Sequence, residues 1–284
     1  MAEYLPGFRT DPVRLLGEGE DHLAYEVGGE LIVRFGKEPD PRERAERAHR
    51  DARLLDAVAG ISPLPVPEPL FTIAEQGCLA YAKLPGVPLI GLSPPEHASA
   101  SIAVALGGFL AALHRAPAAL TADLVDIDDQ SRELWLQEAA ETYAEVADEI
   151  PKPHRPAIEA FLKAPPPPGE YPAVFSHNDL GIEHVLVDPV TWEVTGVIDW
   201  SDAAFTDPAY DLGLLYRDLG PGALDAALRA YHPGDLAEIR ARAVFYARCA
   251  ALEDLAYGLA SDHDEYAAKT LSALPWLWPD VVAS

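Results

Sequence analysis

Over the first 85 residues the apolar pattern changes period twice, and each change predicts a different element. Leu31-Ile-Val-Arg-Phe35 is a strand-length apolar run entered through Gly28-Gly29, a tight-turn signal. Ahead of it, Gly17-Glu-Gly-Glu-Asp-His-Leu-Ala-Tyr25 starts polar and ends as a strand, which predicts a hairpin with a Gly-containing loop just before it. From Pro41 to about Val58 the period becomes helical, with Ala48, Leu54, Leu55 and Val58 on one face of a charged helix. Pro63, Pro65, Pro67 and Pro69 then force an extended connection. Phe71 to Ile73 and Cys78 to Ala82 read as two more strands. The order β-β-α-β-β predicts an α+β small lobe.

Gly86-Val-Pro88 marks the expected boundary between a lobe of residues 1–85 and one of residues 86–284. Ser93-Pro-Pro-Glu96 carries a capping-box pattern with Pro in the first turn, and Leu106, Phe109, Leu110 and Leu113 follow at helical spacing. His114-Arg115 then sits where positive charge suits a helix C-terminus. Residues 132–150 and 154–163 predict two further helices, and Pro165 to Pro168 a stiff linker. Val174 to Ser176, Val185 to Val187 and Val194 to Ile198 are short apolar strands. From Leu212 onward, including Leu236 to Leu259, the chain reads as helical, with Trp276 and Trp278 packing its end.

Composition narrows the class. A chain of 284 residues, 49% apolar and 24% charged, fits a globular protein of two lobes. No apolar run approaches the ~20 residues of a membrane helix, and the N-terminus lacks a signal-peptide pattern. Cys78 and Cys249 have no Cys-x-x-Cys partner, which argues against a zinc site and fits a reducing cytoplasm. A cytoplasmic monomer or weak dimer is expected, away from any membrane. With 46 acidic against 21 basic side chains, the net charge of −25 repels nucleic acid and attracts small cations.

The chemistry concentrates in Ser176-His-Asn-Asp-Leu-Gly-Ile-Glu-His-Val-Leu-Val-Asp188 and Gly196-Val-Ile-Asp-Trp200. Asp179 follows an apolar strand, so its carboxylate is held where it could take a proton from a hydroxyl. His184 can ligate a metal through a neutral ring nitrogen, and Asp199 also stands at a strand end. One carboxylate to accept a proton and two groups for magnesium are what phosphoryl transfer from a nucleotide needs. A His ligand is unusual for magnesium, which prefers oxygen. Each residue alone is ordinary; the three placements together carry the inference. Asp207-Pro-Ala-Tyr-Asp211 ends in an Asp expected to hold the catalytic loop through its backbone, with His177 as further support.

These motifs resemble the aminoglycoside phosphotransferase family of antibiotic kinases, whose pattern is His-Gly-Asp-x-x-x-x-Asn, then Ile-Asp-Phe/Trp, then Asp-Pro-x-x-Asp. The resemblance implies a bilobal, protein-kinase-like α+β fold with a small β-rich N-lobe and a larger helical C-lobe. It implies Asp179 as catalytic base and His184 and Asp199 as magnesium ligands. Asn178 replaces the family's Gly, and His184 its Asn; both departures are similar to some aminoglycoside 2''-phosphotransferases, and the second also to macrolide kinases. Gly17 and Gly19 look like the nucleotide-covering loop, with no Walker motif. Arg34 occupies the place of the phosphate-binding Lys, with Lys37 three positions on as the other candidate, and Asp51 resembles the acidic partner of that cation, or is an exposed ion-pair residue. Leu79 to Leu89 looks like the segment crossing between lobes, where backbone near Ala82 to Leu84 would meet the purine. Tyr81 would either back that pocket, favouring guanine over adenine, or sit in the core. Ile198, beside Asp199, completes the nucleotide set.

The acceptor side is read from charge. Glu253 and Asp254 lie beside a stripe of Leu252, Leu255 and Leu259; Asp202 follows the metal Asp; Asp262, Asp264 and Glu265 add negative charge. The expected activity is transfer of the γ-phosphate of ATP or GTP to a hydroxyl of a cationic antibiotic, aminoglycosides first. A macrolide, a cationic peptide antibiotic or a choline- or homoserine-like alcohol remains open. A non-catalytic binder on the same fold is one rival. A metal-dependent hydrolase is another, although it has no use for the β-rich first 85 residues.

Overall fold

A computed structural model describes residues 4–19, 21–231, 236–261 and 263–279. Five antiparallel strands come first: β1 (Val13–Glu18), β2 (His22–Val27), β3 (Leu31–Gly36), β4 (Pro69–Ile73) and β5 (Cys78–Ala82), in sheet order β1-β2-β3-β5-β4. The β2–β3 turn at Gly28-Gly29 sets a register in which Ala24 pairs with Arg34 and His22 with Gly36. Strand alternation then sorts side chains by face. Leu31 and Val33 bury with Phe71, Cys78 and Ala80 on one side. Ile32, Leu79 and Tyr81 bury on the other, with Leu54, Leu55 and Val58 of α1 (Pro41–Ile61).

Helix α1 begins where Asp40 accepts from the amides of Arg42 (2.8 Å) and Glu43 (3.1 Å), with Pro41 at its first position. It ends at Ser62, which precedes Pro63 and is extended, as a residue before proline prefers. Its buried residues are Ala48, Leu54, Leu55 and Val58, the face the apolar period predicted.

The chain leaves the sheet through Gly86. A Cβ there would lie 2.7 Å from the Val187 carbonyl oxygen and closer still to Thr195 Oγ1, and φ is +96°, so only glycine fits. Strand β6 (Val87–Pro88) then joins a three-stranded sheet. Helix α2 (Glu96–His114) follows; Ser93 does not cap it, because the chain stays extended through Pro95 and the helix starts without a side-chain cap. By length and composition α2 could cross a membrane. Instead Ile102, Leu106, Phe109, Leu110 and Leu113 are buried against the rest of the helical part. Next come β7 (Asp126–Ile127), α3 (Arg132–Val146), capped by Ser131, and α4 (Arg155–Lys163).

Two short sheets carry the loops that matter. Strands β8 (Val174–Ser176) and β11 (Ala204–Thr206) pair antiparallel, with β7 beside β11; β9 (Val185–Val187) and β10 (Val194–Val197) pair with each other. The loop from β8 to β9 and the loop from β10 to β11 therefore run between the same two sheets, each starting beside the strand at which the other ends. Helices α5 (Ala209–Tyr231), broken at Gly220 before Pro221, α6 (Leu236–Ala260) and α7 (Asp264–Leu277) close the core. Leu252 and Leu255 are fully buried, but Leu259 is exposed and falls off the predicted stripe. His114 is not a helix-end charge on the surface: it is half-buried, Nδ1 2.7 Å from the Tyr231 hydroxyl and Nε2 3.3 Å from Ser176 Oγ.

Burial pulls the His114 imidazole down to about 3, from 6.5, with Arg115 adding to the effect. The folded protein holds this histidine neutral, so its stabilising contribution is complete above about pH 6.5 and is lost as pH falls towards 3. The unfolding free energy of the wild type should therefore decline over that range by about 1.4 kcal/mol per pH unit more than that of His114→Gln. Denaturant titrations between pH 4 and 7 measure the difference; identical slopes would exclude this role for His114.

Candidate active site

One buried carboxylate shapes the loop after β8. Asp211, 1% exposed at the start of α5, accepts from the amides of His177 (3.0 Å) and Asn178 (3.2 Å) through Oδ2 and of Leu180 (3.3 Å) through Oδ1. Burial pushes its pKa up to about 6, even though the three amide donors pull the other way. Asn178 has φ +63°, in the left-handed region, which Asn enters more readily than most residues and which the family's Gly enters freely. Asp199 has φ +61°. His177 is fully buried; its Nε2–H donates to the Ile198 carbonyl at 3.0 Å, tying the first loop to the second.

Those ties bring Asp179, His184 and Asp199 together. The His184 Nδ1–H donates to the Asp179 backbone carbonyl at 2.8 Å, which leaves Nε2 with a lone pair facing Asp199 Oδ2 at 3.9 Å. A metal-binding histidine is held in this way, by a hydrogen bond from its other nitrogen. Asp179, Glu183 and His184 also bring ligand atoms within 4.8 Å of one another. Glu183, however, is taken up by Lys269 Nζ at 2.7 Å. His184 and Asp199 are thus the pair suited to a divalent cation.

The two carboxylates titrate apart. Burial, reinforced by Glu183 and Asp202 and opposed by His184, pushes Asp179 up to about 7. Burial also acts on Asp199, but Arg34 and His184 outweigh it and hold that carboxyl below its ordinary range. His184 is raised, because Asp179 and Asp199 outweigh the effect of burial. One carboxylate ready to exchange a proton beside one kept ionised is the division of labour expected of a base next to a metal ligand.

On the sheet side, Arg34 donates from Nη2 to Ser201 Oγ at 2.7 Å and lies 3.8 Å from Asp199 Oδ1. Asp51 does not pair with Arg34 directly, as the resemblance implied. His22 stands between them, its Nδ1 2.9 Å from Arg34 Nη2 and its Nε2 3.2 Å from Asp51 Oδ2. The shorter Asp side chain and the inserted imidazole replace one direct ion pair. Lys37 does not reach towards Asp199; Nζ donates to Glu18 Oε1 (2.6 Å) and to the Gly19 carbonyl (2.8 Å), holding the end of β1, which includes Gly17, against the end of β3. Tyr81 is buried in the core of the sheet with Arg34 beside its hydroxyl. Ala82 ends β5, and the Leu84 side chain fills the space left by the absent Cβ of Gly196.

A cleft of about 460 Å³ opens from Asp179 towards α6 and α7. Its carboxylates are Asp128, Asp179, Glu183, Asp202, Glu253 and Asp254, and Trp135, Tyr210, Tyr257 and Tyr266 give it aromatic walls. Not all of that charge faces a ligand. Asp254 Oδ2 lies 3.0 Å from both Arg217 Nη1 and Lys269 Nζ. Arg217 also holds Asp218 at 2.7 Å, and Lys269 holds Glu183. Asp254, expected to meet the acceptor, is therefore committed to an internal ion-pair hub, while Glu253 makes no hydrogen bond or ion pair among the described residues. Asp264 and Glu265 open α7, and Asp262 lies outside the described residues.

The model of the phosphotransferase enzyme family matches residues 12–243. The chain belongs to that family. The viomycin phosphotransferase of Streptomyces vinaceus is 29% identical over 243 residues, 80% of each chain. The GDP and kanamycin complex of an aminoglycoside 2''-phosphotransferase superposes with a TM-score of 0.71 at 21% identity, over 96% of this chain and 95% of that one. The macrolide 2'-phosphotransferase MphH of Brachybacterium faecium gives 0.63 at 28% identity, over 94% of each. The protein is a phosphotransferase on a kinase-like fold, which removes the hydrolase reading.

If Asp211 holds the loop, Asp211→Asn turns one acceptor oxygen into a donor facing backbone N–H groups. The variant should lose about 1–3 kcal/mol of stability, the cost of leaving buried donors unpaired. Denaturant unfolding of the two proteins measures this; equal stability would show that the loop needs no such anchor.

Proposed function

We propose that this phosphotransferase moves the γ-phosphate of ATP or GTP to a hydroxyl of a polycationic antibiotic, of the aminoglycoside or viomycin kind. The observation that carries the reading is the position of Asp179, poised near neutrality at the head of an acidic, aromatic-walled cleft. As the acceptor oxygen attacks the γ-phosphorus in line, Asp179 takes its proton and the nucleoside diphosphate leaves. A magnesium ion held by His184 and Asp199 would neutralise charge on the transferred group. Arg34 would pair with the nucleotide phosphates, beneath the turn of Gly17 and Gly19, and the purine would lie along Ala82 to Leu84 with Tyr81 and Ile198 as its neighbours. Asp202 and Glu253 would attract the acceptor's ammonium groups.

The relatives support different acceptors: one is named for viomycin, one was solved with kanamycin, one is named for macrolides. Even with Glu183 and Asp254 paired to Arg217 and Lys269, the carboxylates of Asp128, Asp179, Asp202 and Glu253 in the lining favour the cationic acceptors over a largely apolar macrolide. A single-cation alcohol remains the second reading within the same chemistry.

Nucleotide consumption measured with kanamycin, viomycin and a macrolide, with ATP and with GTP, tests the reading. Turnover is expected with at least one polycation, and Asp179→Asn should lower kcat by roughly 10²–10⁴-fold, the range for a lost general base. Turnover that survives in this variant would remove Asp179 from the role. The His22 relay makes a separate prediction. His22→Ala, which frees the Arg34 guanidinium, should raise the nucleotide KM about tenfold with a much smaller change in the acceptor KM. Equal shifts in both constants would point to general loosening instead.

A further inference from the structure

One wall of the Asp179 cleft is a knot of five charged side chains, of which Glu183, Arg217 and Asp254 line the cleft itself. Arg217 and Asp218 come from α5, Asp254 from α6, Lys269 from α7 and Glu183 from the loop between β8 and β9. None of the five is more than 13% exposed. Two of their contacts reach the loop. Lys269 Nζ donates to Glu183 Oε2 at 2.7 Å, and Asp218 Oδ2 accepts from the Ile182 amide at 3.1 Å. The His184 amide closes the same turn on the Gly181 carbonyl at 3.0 Å. We infer that Lys269 is a positioning residue for phosphotransfer: through Glu183 it sets the turn that separates Asp179 from His184, and so the placement of both.

This role rests on Asp179 being the base, and three observations carry it. The first is how the loop is shaped to reach the hub. A Cβ at Gly181 would lie 2.7 Å from Glu183 Oε2 and closer still to Oε1, so the Glu183 carboxylate folds back over a residue that has no side chain. The second is the rigidity of the pin. Two turns after Lys269, Trp276 Nε1 donates to the carbonyls of Tyr216 (3.1 Å) and Arg217 (3.3 Å), and the Tyr216 hydroxyl donates to the Trp276 carbonyl at 2.6 Å. Helix α7 is thereby locked to the turn of α5 that carries Arg217 and Asp218. The third is energetic. Burial and Arg217 push the Lys269 ammonium down, but Asp218, Asp254 and Glu183 outweigh them and keep it charged. Such buried pairs add little stability over apolar side chains of the same shape, whereas breaking one strands a buried charge. What the hub supplies is a single geometry: a loop that shifts takes Glu183 from Lys269 and the Ile182 amide from Asp218.

Lys269→Met alone would leave three carboxylates around one cation, and a failure to fold would say nothing of the loop. The balanced pair Glu183→Gln with Lys269→Met removes one charge of each sign and leaves the net charge of the hub as it was. Gly181→Ala keeps every charge but pushes the Glu183 carboxylate off Lys269. Both are compared with the wild type in the full chain, with magnesium, ATP or GTP, and kanamycin and viomycin as acceptors. Each should lower kcat roughly 10–100-fold, the scale of a small misplacement of reacting groups. The nucleotide KM should stay near its wild-type value, because Arg34 lies across the site and contacts none of the hub residues. Amide exchange over residues 177–187 should quicken about tenfold, while exchange in α2 and the denaturant midpoint stay unchanged. Combining the substitutions should cost little more than the balanced pair, since both act through one carboxylate. A wild-type kcat in either folded variant would overturn the role. So would exchange quickened along the whole chain with a lowered midpoint, the mark of a purely structural hub. If the balanced pair does not fold, Gly181→Ala decides alone. If the wild type phosphorylates neither polycation, the proposed acceptors fall, and exchange over residues 177–187 decides the positioning role: unchanged rates overturn it.

Discussion

The site depends on one carboxylate buried behind it. Asp211 gathers the amides of His177, Asn178 and Leu180 around a side chain that is almost wholly buried. Without those acceptors the loop would have to bury three N–H groups unpaired, at about 1–3 kcal/mol each. With them, the chain turns sharply between His177 and Leu180, and Asp179 projects into the cleft. His177 passes the constraint to the second loop through the Ile198 carbonyl, and Asp199 inherits its position from that contact. Backbone hydrogen bonds thus hold the two loops, and with them Asp179, His184 and Asp199 stand together at the head of the cleft.

An acid-rich protein must also keep an acid-rich cleft from repelling itself apart. The solution here is a hub of three carboxylates, Glu183, Asp218 and Asp254, around two buried cations, Arg217 and Lys269. Asp218 Oδ2 also accepts from the Ile182 amide at 3.1 Å, which joins the hub to the loop between β8 and β9. Burying such charges is costly unless each is paired and hydrogen-bonded. The arrangement therefore reads as a positioning frame for the segment between Asp179 and His184. It also changes what cleft acidity means: the charge that attracts an acceptor is the part the hub leaves over.

Much of this was legible in the sequence, for physical reasons that differ by element. The buried face of α1 followed from period alone, since Ala48, Leu54, Leu55 and Val58 can share only one side of a helix. The strands flanking the two catalytic loops were short but bounded by turn residues, so they too could be read. Ser93 failed as a cap because two prolines keep the chain extended until the helix begins. The hub could not be read at all, because Glu183 and Lys269 lie 86 positions apart and only the packing of α5, α6 and α7 joins them. The His22 relay lies between these cases. Once Gly28-Gly29 sets the hairpin register, His22 is the diagonal neighbour of Arg34 on the same face, and a reading by strand pairs would have found it.

The departures from the family pattern follow the same logic. Replacing the Gly of the catalytic motif by Asn178 keeps the left-handed backbone that the Asp211 contacts demand. It also adds a side chain, and Asn178 Nδ2 donates to Asp128 Oδ2 at 3.3 Å. Asp128 lies just before Gln130 and Trp135, and the three line the same cleft as Asp179. Asn178 thus ties the loop that carries Asp179 to the cleft wall that begins at Asp128. Any movement of that wall on binding would be felt at residue 178, one peptide from Asp179.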